Sequence, residues 1–158
     1  MLNENELLKL YNLNLEELIE KSAEITRENF APVVEFCSIV SAKTGSCSEN
    51  CKYCSQSAHN NAKIENHPLL SVEDVKRAAL NAKENGAIYF SIVTSGRAPD
   101  EKYFEKILEM VRAVSAIDGL KCCCSLGIIN DEQAKALRQA GMARCHHNIN
   151  TFIHNSKN

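Results

Sequence analysis

The sequence has no tryptophan, and aromatic residues make up only 6% of it. The few rings are scattered, so no platform on which nucleic-acid bases could stack is visible. An excess of charge is missing too: 18 basic residues face 20 acidic ones, for a net charge of −2 and a pI near 6.2. Without surplus Lys or Arg to neutralise phosphates, nucleic acid is not an expected partner. No apolar run approaches the roughly 20 residues of a membrane span, so a membrane is not expected either. The opening Met-Leu-Asn-Glu-Asn-Glu has neither a basic nor an apolar signal-peptide stretch, and a cytoplasmic location is expected. The chain is short. It has 158 residues, whereas a closed (β/α)₈ barrel takes about 250 and rarely fewer than about 200. A closed barrel is therefore excluded, and one domain, or at most one with a small appendage, fits the length and a 44% hydrophobic content.

What the chain does have is cysteine. There are eight, at Cys37, Cys47, Cys51, Cys54, Cys122, Cys123, Cys124 and Cys145. In a reducing compartment such clusters bind metal or do redox chemistry more often than they form disulfides.

Helix and strand signals alternate around them. The first thirty residues read as helical, with Asn14 and Glu17 resembling a capping box ahead of Leu15, Leu18, Ile19 and Ala23 at helical spacing. Residues 33–41 are β-branched and aromatic enough for a strand. A long polar segment, about 42–68, carries the first cysteine triplet, and loops of that size usually carry function. Ser71 then caps a helix ended by Asn85-Gly86, and residues 87–94 form a buried-strand run. Asp100 opens a second helix closed by Gly119, followed by a strand over 120–126. Asn130 and Gln133 resemble a capping box for a third helix, stopped by Gly141, and a last strand covers about 142–149. Strands alternating with helices predict right-handed crossovers and an α/β fold of about four parallel strands behind a helical lead-in.

Cys47, Cys51 and Cys54 are spaced C-x₃-C-x₂-C. Three thiolates this close on a polar loop can hold one corner of an iron–sulfur cluster, which normally takes four thiolates. Three protein ligands leave an iron open for a substrate, as an open position does in catalytic zinc sites. The alternative is zinc, with His59 as a fourth ligand five residues after Cys54.

This spacing, with Tyr53 before the third cysteine, resembles the radical S-adenosylmethionine signature. The longer run Ser-Ala-Lys-Thr-Gly-Ser-Cys-Ser-Glu-Asn-Cys-Lys-Tyr-Cys-Ser-Gln-Ser-Ala, residues 41–58, is similar to the biotin synthase family loop K-T-G-x-C-x-E-D/N-C-x-Y-C-x-Q-S. Further likeness lies at Ser-Ile-Val-Thr-Ser-Gly-Arg (91–97), Leu-Lys-Cys-Cys-Cys-Ser-Leu-Gly (120–127) and His-Asn-Ile-Asn-Thr (147–151), all at ends of expected strands. The resemblance implies a 4Fe–4S cluster whose open iron chelates the amino and carboxylate groups of S-adenosylmethionine. It further implies cleavage to a 5′-deoxyadenosyl radical, hydrogen abstraction from dethiobiotin and sulfur insertion from a 2Fe–2S cluster. An electron donor such as flavodoxin or ferredoxin and a homodimer belong to the same expectation.

Position by position, the resemblance makes Cys47, Cys51 and Cys54 the 4Fe–4S ligands and Cys123 a 2Fe–2S ligand. Ser91 stands where many members have another 2Fe–2S cysteine, and some carry serine; otherwise it is a strand hydroxyl bonded locally. Asn148 and Asn150 match polar positions near the S-adenosylmethionine ribose and the dethiobiotin ureido group. No side chain is assigned as acid, base or nucleophile. Cys122 and Cys124 alternate to the opposite side of their strand and read as buried packing residues. Cys145-His146-His147 departs from the family's usual Tyr-Asn-His or Tyr-His-His, and two adjacent histidines on opposite faces of a strand make a poor metal site. His67 and His154 are expected on the surface. The resemblance runs to Thr151, after which the family continues through four more strands. The expected organisation is a helical segment (1–31), a partial barrel (32–151) and a short tail (152–158). On this reading the chain is a truncated form whose 2Fe–2S site lacks most of its ligands. It is expected to bind the 4Fe–4S cluster weakly without making biotin alone. The other outcome is a stand-alone iron–sulfur or zinc-binding module without catalytic activity.

Overall fold

In the computed structural model, which describes residues 3–148, the alternation becomes a four-stranded parallel sheet in the order β1-β2-β3-β4. Two helices lead in, α1 (Glu4–Tyr11) and α2 (Leu15–Asn29). There follow β1 (Phe36–Lys43), α3 (Val72–Glu84), β2 (Ala87–Thr94), α4 (Glu101–Ser115), β3 (Lys121–Ser125), α5 (Asp131–Gln139) and β4 (Arg144–Cys145). Chain contacts divide the molecule into two units, Met1–Val34 and Glu35–Asn158.

In the first unit, the helices are held by their caps. Asn3 and Glu6 form a full capping box, each side chain accepting from the other's backbone N–H at 3.0 and 2.7 Å. Asn14 accepts from the Glu17 N–H at 2.9 Å, but Glu17 does not reach back, so only half of the expected box forms. None of the residues of α1 or α2 is buried, and Leu15 and Ile19 are exposed.

The second unit has the core. Ser71, Asp100 and Asn130 each cap the helix they were expected to open, satisfying N–H groups that have no partner within the helix. Ile107, Val111 and Val114 of α4, Val75 and Ala79 of α3 and Leu137 of α5 pack with Phe90, Ile92, Cys122 and Cys124 from the sheet. Every second strand residue therefore faces the helices, and the residues between them face away.

Strand extents are set by partners as much as by composition. β1 begins at Phe36 rather than residue 33 because its neighbour begins at Ala87, which pairs with Phe36. It then runs on to Lys43, opposite Thr94, past an irregularity after Ser41. Of the expected strand over 142–149, the described residues form only Arg144–Cys145, paired with Cys123 and Cys124, and Ile149 lies outside them. Among the described residues, no helix is long and apolar enough to cross a membrane.

Candidate functional site

The segment between β1 and α3 is fastened by hydrogen bonds in place of a core. At its start the Lys43 ammonium donates to the Ser95 carbonyl at 3.2 Å, and the Ser95 hydroxyl donates to the Gly45 carbonyl at 2.6 Å. Gly45 has φ +71°, and a Cβ there would collide with the Asn66 side chain, so this turn requires glycine. The Gly45 N–H donates to the Gln56 side chain at 2.6 Å. Cys47 bonds through its N–H to the Gln56 carbonyl (3.0 Å) and through its carbonyl to the Ala58 N–H (2.9 Å). The Cys54 N–H closes a turn on the Cys51 carbonyl at 2.9 Å. A loop that would otherwise be a floppy polar excursion thus presents its three cysteines from tied backbone.

Cys47, Cys51 and Cys54 are each half-buried and line one cleft of about 400 Å³. The cleft opens at the C-terminal ends of the strands, where parallel α/β sheets bind ligands. Its opposite wall is the Thr94–Arg97 loop, and it also carries Gly127, His147 and Asn148. The structure therefore brings Asn148 to the same cleft as the three thiols; Asn150 lies outside the described residues. Glu49, between the first two cysteines, pairs with Arg97 at 3.3 Å across the cleft. Gly127, with φ +79°, lies so close beneath Arg97 that a Cβ would collide with the Arg97 carbonyl, which accepts from the Ile128 N–H at 2.8 Å.

Among the described residues, no three His, Cys, Asp or Glu side chains converge closely enough for a single metal ion. His59, the fourth ligand of the zinc alternative, has its Nε2 3.2 Å from the Ser48 carbonyl. A cubane asks for something different, because each thiolate binds its own iron and the sulfurs stand apart. Three thiols spread around one cleft, with no fourth, fit that donor set. Tyr53, between two of them, has its hydroxyl pushed up by desolvation and then by the Cys51 and Cys54 charges.

Beneath the cleft is a second feature. Val93 and Ser125, paired in register, belong to the cleft wall. Two residues earlier on each strand, about 7 Å deeper, Ser91 pairs with Cys123 on the same face. Both are buried, at 6% and 1% exposure, yet neither joins the helix-side core. Among the described residues the Ser91 hydroxyl has no hydrogen-bond partner, so the local bond offered as its alternative role is not formed there. Burial pushes the Cys123 thiol up, partly offset by the Arg144 guanidinium one strand away. That guanidinium stacks 4.4 Å from the Tyr89 ring centre and donates to the Tyr89 hydroxyl at 3.2 Å. An orphaned hydroxyl beside a thiol is a site short of a partner, and its donor set fits part of a small iron–sulfur cluster.

Cys122 and Cys124 lie in the hydrophobic core, as their alternation requires. His146 and His147 are both exposed; His147 lines the cleft, and His146 bonds through its backbone N–H to the Cys124 carbonyl. His67, expected on the surface, is instead half-buried. Its N–H bonds the Thr44 hydroxyl at 3.0 Å and its carbonyl accepts from the Thr44 N–H, tying the loop's end to its beginning. His154 lies outside the described residues. Sequence reasoning missed Arg144 and the Glu49–Arg97 pair, whose partners are distant in the chain, and Asn60, whose side chain bonds the Cys51, Lys52 and Cys54 carbonyls within the loop in no recognisable spacing.

With this geometry in view, comparisons with known proteins are specific. The radical SAM superfamily profile matches residues 42–153. The biotin synthase of Acetivibrio thermocellus is 41% identical over 136 residues, covering 86% of this chain and 42% of that protein. That of Clostridium perfringens is 38% identical over 150 residues (95% and 47%), and that of Burkholderia mallei 39% over 147 (92% and 44%). The chain thus spans less than half the length of these curated relatives. Among solved structures, methylornithine synthase superposes with a TM-score of 0.71 at 22% identity, over 92% of this chain and 43% of its own. A maturase of the FeFe hydrogenase superposes at 0.63 and 18% identity, over 84% and 30%. At such identities, these two likenesses are of fold.

Proposed function

The chain belongs to the radical SAM superfamily, and from that premise we propose that it serves sulfur insertion of the biotin synthase kind, with dethiobiotin as substrate. Residues 32–151 form the working part, in the cytoplasm, reduced by a small electron-transfer protein. Cys47, Cys51 and Cys54 hold the 4Fe–4S cluster, and Asn148 and Asn150 contact S-adenosylmethionine and substrate. The single observation that carries this reading is the gathering of three half-buried thiols, with no fourth, around the cleft that also holds Asn148. When bound, the cluster supplies one electron to break the sulfonium C–S bond of S-adenosylmethionine.

This chain's residues do the placing. An asparagine amide both donates and accepts, which suits a ribose hydroxyl or a ureido group. The Val93–Ser125 pair separates the cleft from the Ser91–Cys123 pair below, so a ligand in the cleft lies above that pair. Ser91 and Cys123 supply two donors of the four that a 2Fe–2S cluster takes. Among the described residues that face holds two of these donors, so the polypeptide of this sequence is expected to cleave S-adenosylmethionine and to need further ligands for the sulfur-donor cluster.

Anaerobic reconstitution with iron and sulfide tests the reading. The expected result is about four irons per chain, visible absorption bleached by dithionite, and 5′-deoxyadenosine on adding S-adenosylmethionine, with no biotin from dethiobiotin. Stoichiometric zinc in place of iron, or a cluster that releases no 5′-deoxyadenosine, overturns the enzyme reading in favour of a metal-binding module. Biotin formation by this polypeptide alone overturns the donor count.

A further inference from the structure

We infer that Asn60 is the positioning residue of the cysteine loop, pinning the turn that carries Cys51 and Cys54 and thereby setting the lifetime and potential of the cluster; this rests on the cluster reading above. Its side-chain amide donates to the Cys54 carbonyl at 2.8 Å, the Cys51 carbonyl at 3.0 Å and, more weakly, the Lys52 carbonyl at 3.4 Å. Two N–H bonds therefore serve three converging oxygens.

Three carbonyl dipoles pointing at one spot repel one another, and only a donor placed between them makes that arrangement stable. Among the described residues, no other side chain does this for the turn. Cys47 is held by backbone bonds to Gln56 and Ala58, and Asn60 contributes nothing to it. The backbone bonds at the turn, from the Cys54 N–H to the Cys51 carbonyl at 2.9 Å and from the Ser57 N–H to the Cys54 carbonyl at 3.3 Å, are local to it and do not anchor its Cys51 side to the rest of the loop. Asn60 supplies that anchor from six residues beyond Cys54. It also commits the negative ends of the carbonyl dipoles to itself. Released, those oxygens are free to turn toward the thiolates, where they disfavour an added electron.

Asn60→Asp separates this role from bulk. The aspartate has the same shape but offers two acceptor oxygens to three acceptors, whereas Asn60→Gln keeps the donor on a longer stem. Neither touches the buried core, so both variants should melt as the parent does. In reconstituted protein, Asn60→Asp is expected to lose iron to a ferrous chelator at least about tenfold faster. Its cluster potential should also fall, and Asn60→Gln should restore most of the lifetime. Iron release and potential unchanged in Asn60→Asp, or Asn60→Gln as labile as Asn60→Asp, overturns the inference. If the parent takes up no iron, the cluster reading fails by itself, and hydrogen exchange in the metal-free chain decides the role of Asn60. The Cys54 and Ser57 amides, bonded to the Cys51 and Cys54 carbonyls, should then exchange about tenfold faster in Asn60→Asp. Equal exchange overturns the inference.

Discussion

Cys47, Cys51 and Cys54 stand on a loop, half-buried around a cleft, whereas Cys122, Cys123 and Cys124 follow one another in a strand with 1%, 1% and 0% exposure. The loop thiols are separated by spacers, and their backbone is held within the loop, at Cys47 by backbone bonds and at Cys51 and Cys54 by the Asn60 side chain, so all three reach one space. The strand thiols are consecutive, and the pleat sends them to two faces. Cys122 and Cys124 fill the layer between sheet and helices. Cys123, one residue out of step with either, pairs with Ser91 on the other face. Three adjacent cysteines are a weaker sign of a metal site than three spaced ones, because adjacency in a strand divides them.

The contrast predicts, as its largest effect, a gap in reactivity. In the metal-free protein, iodoacetamide should label Cys47, Cys51 and Cys54, with the exposed Cys37 and Cys145, in a first fast phase. Cys122 and Cys124 should wait for global opening, at least about a thousandfold slower. Peptide mapping by mass spectrometry reads both phases, and Cys124 labelling in step with Cys51 would break the comparison.

A smaller effect separates the groups by stability. Cys124→Ala removes a sulfur from full burial and should cost roughly 1–2 kcal/mol in urea unfolding. Cys51→Ala in the metal-free chain should stay within about 0.5 kcal/mol of the parent. Equal losses would mean that the loop cysteines pack as core residues do.

The smallest effect is a pH dependence. The hydrogen bond shared with Cys122, and then burial, push the Cys124 thiol up. It therefore stays protonated in the folded chain where the unfolded chain ionises, above about pH 8.5. Folded molecules then bind more protons than unfolded ones, so stability is full below that pH and declines above it. The same bond lowers the Cys122 thiol, which opposes part of the decline. Urea midpoints across alkaline pH should fall less steeply in Cys124→Ala, and a parallel fall would assign the effect to other groups.

Much of the fold was readable because its signals are local. Ser71, Asp100 and Asn130 announce helix starts through bonds only two or three residues long, and Phe90 and Ile92 announce a buried strand. The C-x₃-C-x₂-C spacing is local in the same sense. What stayed hidden depends on partners far away in the chain. The start of β1 is fixed by Ala87, fifty-one residues on. Arg144 matters through Tyr89, and the orphaned state of the Ser91 hydroxyl can be seen only once its surroundings are folded. Asn60 lay within the cysteine loop, but nothing in its spacing marks an amide that gathers three carbonyls.

The contact between Gly127 and the Arg97 carbonyl is made from main chain alone, sealed by the Ile128 N–H. It joins the loop after β2 to the loop after β3 without using any side chain of residue 97. The Arg97 guanidinium, which pairs with Glu49, therefore takes no part in holding the spacing of the two loops. A change of residue 97 or 49 alters that ion pair and leaves the main-chain contact alone; at position 127 even one methyl group would be felt by both loops together.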